Sequence, residues 1–211
     1  MLSRNEKKKK QEMEIVSKVY NLNDYIYDPN EEHPDFILKS KKDNKTIGIE
    51  VTKLYVTESN ARLKEKPGYL NMILKNKLDK RDIGILKPSE LYIKDKKTSA
   101  WIPLINAVKK TVITDELYEN RLIETIEKKV DKSKNYKDVD ILELFIDDKE
   151  NYFKGKNYKS MNYLYNSKRL IDCVGNSPFD RVYLFTKCNN ERILLIIGNI
   201  FDGPLATLRI V

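Results

Sequence analysis

Three acidic residues near the N-terminus stand where a carboxylate needs a partner. Glu50 interrupts the apolar run at 47–51, Asp35 directly follows a proline, and Glu12 lies among the apolar residues of a predicted helix. Burying an unpaired carboxylate is costly, so a protein pairs it, hydrogen-bonds it or gives it a metal ion. Three converging carboxylates suit a hard divalent cation, and the pattern therefore predicts a site for Mg²⁺ (or Mn²⁺).

Two elements must position these side chains. Residues 4–22 are predicted to form a helix, because their apolar residues recur every three or four positions. In that helix Glu12 falls in the middle of the apolar face, whereas Glu14 points to water. Residues 35–39 and 46–52 are predicted to form a β-hairpin around a polar turn.

The remaining pattern alternates between helices and strands. A helical stretch is predicted to begin near Pro103 and a second helix at Thr114, which suits an N-cap. Further along, the sequence predicts strands at 139–146, 181–186 and 193–197 and helical structure at 158–174. This order predicts an α/β fold with a mixed central sheet.

The hairpin carries a motif that resembles a known enzyme superfamily. Pro34-Asp35-Phe36, a polar turn and Ile47-Gly48-Ile49-Glu50-Val51-Thr52 resemble the PD-(D/E)xK nucleases, in a variant where "PDF" precedes "IGIEVT". The resemblance implies a restriction-endonuclease-like core, in the order helix, three-strand meander, helix and strand, along residues 4–147. It implies a metal-dependent endonuclease that hydrolyses phosphodiester bonds in DNA, in phage defence or on a mobile element.

The resemblance also implies roles for individual residues. Asp35 and Glu50 would hold Mg²⁺ together with the Val51 carbonyl. Glu12 would hold a second metal ion or orient the first. The metal would lower the pKa of a bound water and stabilise negative charge on the attacked phosphate.

The position of the catalytic lysine departs from the family pattern. The lysine is expected two residues after Glu50, where this chain has Thr52. Strand alternation sends Lys53 to the opposite face of the sheet, so it substitutes poorly unless the strand ends or bulges there. Helical phase instead favours Lys129, which lies at the edge of an apolar helix face, over Lys128, which points to solvent.

The missing strand lysine leaves a second interpretation open. With Lys129 in place, its charge would stabilise the attacked phosphate or position the nucleophile. Without a functional lysine, the chain would be a catalytically inactive module on the same scaffold that binds nucleic acid or a protein partner.

Composition bounds the class of protein and its partners. The 211 residues carry 40 basic and 32 acidic side chains, a net charge of +8. This charge favours a nucleic-acid partner, although a lysine-rich composition also follows from AT-rich coding sequence. The resemblance implies that this partner is DNA rather than RNA. No apolar stretch is long enough to span a membrane and no signal peptide is recognisable, which predicts a cytoplasmic protein. Since related nucleases often use two active sites to cut a duplex, the resemblance also implies a homodimer.

The predicted organisation is a single nuclease-like domain over 1–211. It includes an insertion at 55–102 and a C-terminal strand and helix extension at 148–211. Two groups of residues keep two interpretations each. His33 either contacts substrate or metal or has no specific role, and the tyrosines interleaved with lysines at 149–168 either stack on bases or pack in the core.

Overall fold

Helices and strands alternate along most of the chain. The structure, a computed structural model, describes residues 3–27, 33–75, 77–83, 85–109, 112–153, 158–188, 191–198 and 208–210. The helices within these ranges are α1 (Arg4–Val16), α2 (Glu58–Glu65), α3 (Tyr69–Leu74), α4 (Asp115–Ser133), α5 (Tyr158–Tyr165) and α6 (Lys168–Gly175). The strands are β1 (Tyr25–Tyr27), β2 (Phe36–Ser40), β3 (Thr46–Leu54), β4 (Lys87–Lys94), β5 (Trp101–Lys109), β6 (Ile141–Asp148), β7 (Arg181–Cys188), β8 (Glu191–Gly198) and β9 (Leu208–Ile210).

The larger sheet mixes both strand directions. Its order is β1-β2-β3-β6-β7-β8-β9. The first three strands form an antiparallel meander, β3, β6 and β7 run parallel, and the last two strands return antiparallel. The predicted α/β fold with a mixed sheet is therefore confirmed.

The two faces of β3 bury different elements. Ile15 and Val16 of α1 join one core cluster with apolar side chains from four strands. The strand members of that cluster are Phe36, Leu38, Ile47, Ile49, Val51, Phe145, Tyr183 and Phe185. Because side chains alternate along a strand, Gly48, Glu50 and Thr52 point to the other face, and α4 contacts β3. The apolar side chains of β3 thus pack with α1, and Glu50 lies on the opposite face of the sheet.

Helix α1 ends earlier than its periodicity predicts. The helix begins at the Ser3 N-cap, which forms a capping box with Glu6, and it ends at Val16 rather than at residue 22. The amides of Lys18 and Val19 bond to carbonyls three residues back, so the chain tightens into a turn. Tyr20 then leaves the helical path, and its hydroxyl donates a hydrogen bond of 2.6 Å to buried Glu143.

The chain divides into two compact units. One comprises 1–54 and 115–211 and contains the large sheet, and the other comprises 55–114. Inside the second unit the buried carboxylate of Asp82 accepts hydrogen bonds from Ser59 (2.6 Å), Arg62 (3.0 Å to Nε) and Tyr69. These donors keep the pKa of Asp82 well below its ordinary value, chiefly through Arg62. Asp82 therefore stays ionised and ties α2 and α3 together.

The prediction of a helix beginning near Pro103 is wrong. The segment forms β5, which pairs antiparallel with β4. Pro103 lies opposite Tyr92, next to an irregularity in the ladder between Leu91 and Tyr92. A proline, which has no N–H to donate, is tolerated in a sheet at such a position. The pairing partner β4, which periodicity alone does not reveal, decides the conformation.

The helical segment predicted at 158–174 is broken into two helices. Helix α5 ends at Tyr165. Ser167 then caps α6 by accepting a hydrogen bond of 3.1 Å from the Leu170 amide. Its hydroxyl also donates to Glu119 of α4. The break therefore follows from a capping serine held by a neighbouring helix.

Across the described parts of the chain, no helix combines the length and apolar character that crossing a membrane would require.

Candidate active site

Asp35 and Glu50 lie opposite each other on the meander. Phe36 pairs with Ile49 in the antiparallel ladder of β2 and β3, so the preceding residue, Asp35, stands across from Glu50. Opposed residues project to the same face of a sheet with their Cβ atoms about 5 Å apart. Glu50 is buried, with 5% of its surface exposed, and Asp35 is half-buried. The hairpin therefore brings two carboxylates together in a place with little water.

The Asp35 carboxylate is fixed by the backbone of β3. The Val51 amide donates a hydrogen bond of 2.8 Å to Asp35 Oδ2. The Lys9 ammonium donates to the backbone carbonyl of Asp35 and lies 4.4 Å from the centre of the Phe36 ring. Burial raises the pKa of Asp35, and the charge of Glu50 raises it further, while the Val51 amide opposes both. The charge of Glu50 thus disfavours the ionised form of Asp35, a repulsion that a cation relieves.

Gly48 allows Pro34 and Asp35 to approach the sheet. A β-carbon at this position would lie 3.0 Å from Pro34 Cγ and 3.0 Å from Val139 Cγ2. Both neighbours are side chains packed against the strand, so a larger residue would push the Pro34–Asp35 segment away from Glu50. The glycine of the "IGIEVT" motif therefore has a packing role beside the carboxylate pair.

We expect Gly48→Ala to destabilise the protein by about 1–3 kcal/mol, the usual cost of overpacking a core. The measurement is the free energy of unfolding in urea. A matched control is Gly175→Ala, where an added β-carbon would meet nothing within 4 Å. Equal stabilities of the two variants would contradict this account of Gly48.

Glu12 is buried on α1 beside a lysine of the same helix. Only 6% of its surface is exposed, and Lys8 Nζ lies 3.2 Å from Glu12 Oε1. Burial raises the pKa of Glu12, and the negative charge of Asp35 adds to the increase, while Lys8 lowers it. The charge of Asp35 therefore acts on Glu12, while Asp35 itself is affected by the charge of Glu50.

The raised pKa values make stability depend on pH. A carboxyl whose pKa is higher in the folded than in the unfolded state binds more protons when folded, so the protein gains stability as the pH falls toward the ordinary carboxyl value. Glu12 and Asp35 both shift in this direction. Carboxyls with lowered pKa values, such as Asp82, are ionised in both states above about pH 5 and do not oppose the trend there.

We expect the metal-free protein to melt about 2–4 °C higher at pH 5.5 than at pH 7.5, the scale of a ~1 kcal/mol change. Calorimetry in EDTA measures this shift. The double variant E12Q/D35N is expected to lose part of it, and the rest comes from Glu143 and Asp148, whose pKa values burial also raises. A wild-type melting temperature that falls on acidification over this range would refute the assignment.

Lys129 comes to Glu50 from α4. Its ammonium forms an ion pair and hydrogen bond with Glu50 Oε1. The Lys129 side chain is 14% exposed, whereas Lys128 beside it is exposed to solvent. The phase of α4 therefore brings Lys129, rather than Lys128, to the Glu50 carboxylate. Thr52, two residues after Glu50 on the strand, carries no charge.

Tyr136 lies beside the carboxylates, and no pattern in the sequence predicts it. It follows α4, and its buried hydroxyl makes no hydrogen bond of ordinary geometry within the described residues. Burial raises the pKa of Tyr136, and so do the charges of Glu50 and Asp35. The ring of His33 stacks on the Tyr136 ring with centroids 6.5 Å apart. A tyrosine in a turn gives no periodic signal, so only the folded chain connects it to the carboxylates.

The tyrosines of the 149–168 segment divide between core and surface. Tyr152 and Phe153 are buried, and the Tyr152 ring stacks on Tyr118 at 4.3 Å. Tyr163 is 40% exposed, and its hydroxyl donates to Glu119 over 2.8 Å. Core packing thus accounts for the first two aromatic residues.

The donor set fits a hard divalent cation. Among the described residues no three Asp, Glu, His or Cys side chains already form a group able to hold a metal ion. Mg²⁺, however, is commonly held by one or two carboxylates, with water and substrate phosphate completing the shell. Asp35 and Glu50 provide that pair, and the buried Tyr136 hydroxyl interacts electrostatically with both of them. The role of the Val51 carbonyl as a ligand stays a prediction.

The chain was compared with protein-family models, with curated proteins and with solved structures, and none of the three comparisons gives a match.

Proposed function

We propose that the protein is a Mg²⁺-dependent nuclease that hydrolyses phosphodiester bonds in DNA. The observation that carries the proposal is the facing pair Asp35 and Glu50 with Lys129 on Glu50. Two carboxylates and one lysine around a half-buried position are the groups that metal-assisted phosphoryl chemistry requires. The net charge of +8 favours a polyanionic substrate.

The order of elements supports a restriction-endonuclease-like core. Helix α1, the meander β1-β2-β3, helix α4 and strand β6 follow one another in the unit that comprises 1–54 and 115–211. That is the order helix, three strands, helix and strand. Asp35 directly precedes the second strand of the meander, Glu50 lies in the third strand, and Glu12 lies on the first helix. We propose that this unit is the catalytic core.

Each residue of the site has a distinct task in the proposed reaction. Asp35 and Glu50 would hold Mg²⁺, which supplies Lewis acidity and a more acidic water. Lys129 brings positive charge next to Glu50, where the attacked phosphate gains negative charge. Glu12, neutralised by Lys8, would orient the Asp35 side of the site. The Tyr136 hydroxyl can donate a hydrogen bond to a phosphate oxygen or to Glu50.

The proposal is tested by incubating the purified full-length chain with plasmid, linear duplex and single-stranded DNA. We expect cleavage in Mg²⁺ or Mn²⁺, none in EDTA, and loss of cleavage in both Asp35→Ala and Glu50→Ala. Binding that falls with rising salt, ignores EDTA and is never followed by cleavage would instead favour the catalytically inactive binding module.

A further inference from the structure

The β4–β5 hairpin presents aromatic and basic side chains on one face. Trp101 is 67% exposed and pairs with Lys94 across the ladder, and Tyr92 is 49% exposed. Residues that oppose each other in an antiparallel pair share a face, and so do residues two positions apart. Trp101, Lys94 and Tyr92 therefore project together from the same side of the ribbon.

The turn at the end of this hairpin has a defined shape and a positive charge. The Asp95 carboxylate accepts hydrogen bonds from the amides of Lys97 (2.7 Å) and Thr98 (2.8 Å), and the Asp95 amide donates to the Ala100 carbonyl over 2.8 Å. The two side-chain bonds lower the pKa of Asp95. Lys96 and Lys97 are exposed. Lys94 therefore lies directly across from Trp101, Lys96 and Lys97 are in the turn that follows Lys94, and the Asp95 carboxylate of that turn is engaged with the backbone.

The chemistry of this surface favours nucleic acid over a protein partner. Lysine is depleted from protein–protein interfaces, whereas lysines that follow a phosphate backbone and aromatic rings that stack on bases are typical of surfaces for single strands. The flat face of a base is open to an indole ring only where the base is unpaired. Leaving a tryptophan in water is unfavourable, and stacking on a base would recover that free energy.

We propose that the hairpin tip binds an unpaired stretch of DNA, with Trp101 stacked on a base and Lys94, Lys96 and Lys97 on phosphates. This inference rests on the proposed function, because it names the form of DNA that the nuclease would engage. It assigns binding to the unit at 55–114 and leaves the chemistry with Asp35 and Glu50.

The chain offers a direct probe, because Trp101 is its only tryptophan. Titration of the full-length protein with oligothymidylate in EDTA, where no cleavage is expected, should quench the Trp101 fluorescence. The affinity of Trp101→Ala for a labelled oligonucleotide, measured by anisotropy, should fall about 5- to 150-fold, the range measured for one stacked base. The triple variant K94Q/K96Q/K97Q should lower the slope of log K against log salt by about 2.

A matched control removes three lysines from another hairpin. Lys39, Lys42 and Lys45 are exposed around the β2–β3 turn, and K39Q/K42Q/K45Q should bind oligothymidylate with wild-type quenching and affinity. Circular dichroism checks that all variants keep the wild-type melting temperature, as expected for substitutions at exposed positions.

Two results would overturn the inference: wild-type affinity in Trp101→Ala, or equal quenching and affinity with a duplex of the same length. Its failure is separable from that of the proposed function. Asp35→Asn should bind oligothymidylate like the wild type without cutting it. Trp101-dependent binding by a wild-type chain that never cleaves would remove the nuclease proposal and keep this one.

Discussion

Asp35→Asn is expected to abolish metal-dependent cleavage and, at the same time, to stabilise the metal-free protein. Burial and the charge of Glu50 disfavour the ionised form of Asp35, and an amide removes that cost while its oxygen still accepts from the Val51 amide. The loss of activity should be at least about 100-fold, the scale on which one electrostatic stabiliser acts. The gain in stability should be about 1 kcal/mol, typical of relieving strain at a functional site.

Glu50→Gln is expected to lose cleavage to the same degree but to lower stability, because it leaves the Lys129 ammonium without its partner carboxylate. Cleavage rates in Mg²⁺ and urea unfolding in EDTA measure the two effects separately. Exposed acidic residues of the same elements provide matched controls: Asp43→Asn in the β2–β3 turn and Glu14→Gln on α1. If Asp35→Asn cut DNA at the wild-type rate, the assignment of Asp35 would be refuted.

Lys129→Met is expected to have the largest effect on stability among the site variants. Removing one partner of a buried ion pair leaves the other charge uncompensated and costs about 3–5 kcal/mol. Here the remaining charge would be Glu50, of which 5% is exposed. Methionine keeps much of the length of the lysine, so the loss of stability reflects the missing charge rather than a cavity.

A double-mutant cycle isolates this contact. Lys129→Met in a Glu50→Gln background should cost much less than in the wild type, because the buried charge is gone. Lys128→Met, one residue earlier on the exposed side of α4, should leave unfolding unchanged. If Lys128→Met destabilised the chain as much as Lys129→Met, the ion pair would not explain the stability of the site.

Part of the site could be predicted from local periodicity. Helical phase puts Glu12 among apolar residues and Lys129 at the edge of an apolar face, because each position depends on one helix and on which of its faces is buried. In the structure Glu12 and Glu50 are buried, and Lys129 contacts Glu50. The pairing of Asp35 with Glu50 is implied by the resemblance of the hairpin motif, and their role as metal ligands stays a prediction.

Features that depend on a distant partner could not be predicted. The segment after Pro103 is extended because β4 pairs with it, and Tyr136 meets Glu50 because α4 returns along the sheet. The helix predicted at 158–174 breaks where Ser167 finds Glu119. In each case a tertiary contact outweighs the local preference, which periodicity within one segment does not record.

The parallel pairing of β3 with β6 also has a consequence for synthesis of the chain. All three carboxylates belong to the first 50 residues, but β6 begins at Ile141. Until β6 has been synthesised, the eight residues of β3 that pair with it, 47–54, present an unpaired edge that includes Ile47, Ile49 and Val51, the kind of edge that promotes aggregation. Fragments that stop short of β6 are therefore poor candidates for soluble expression, even though they contain the complete acidic motif.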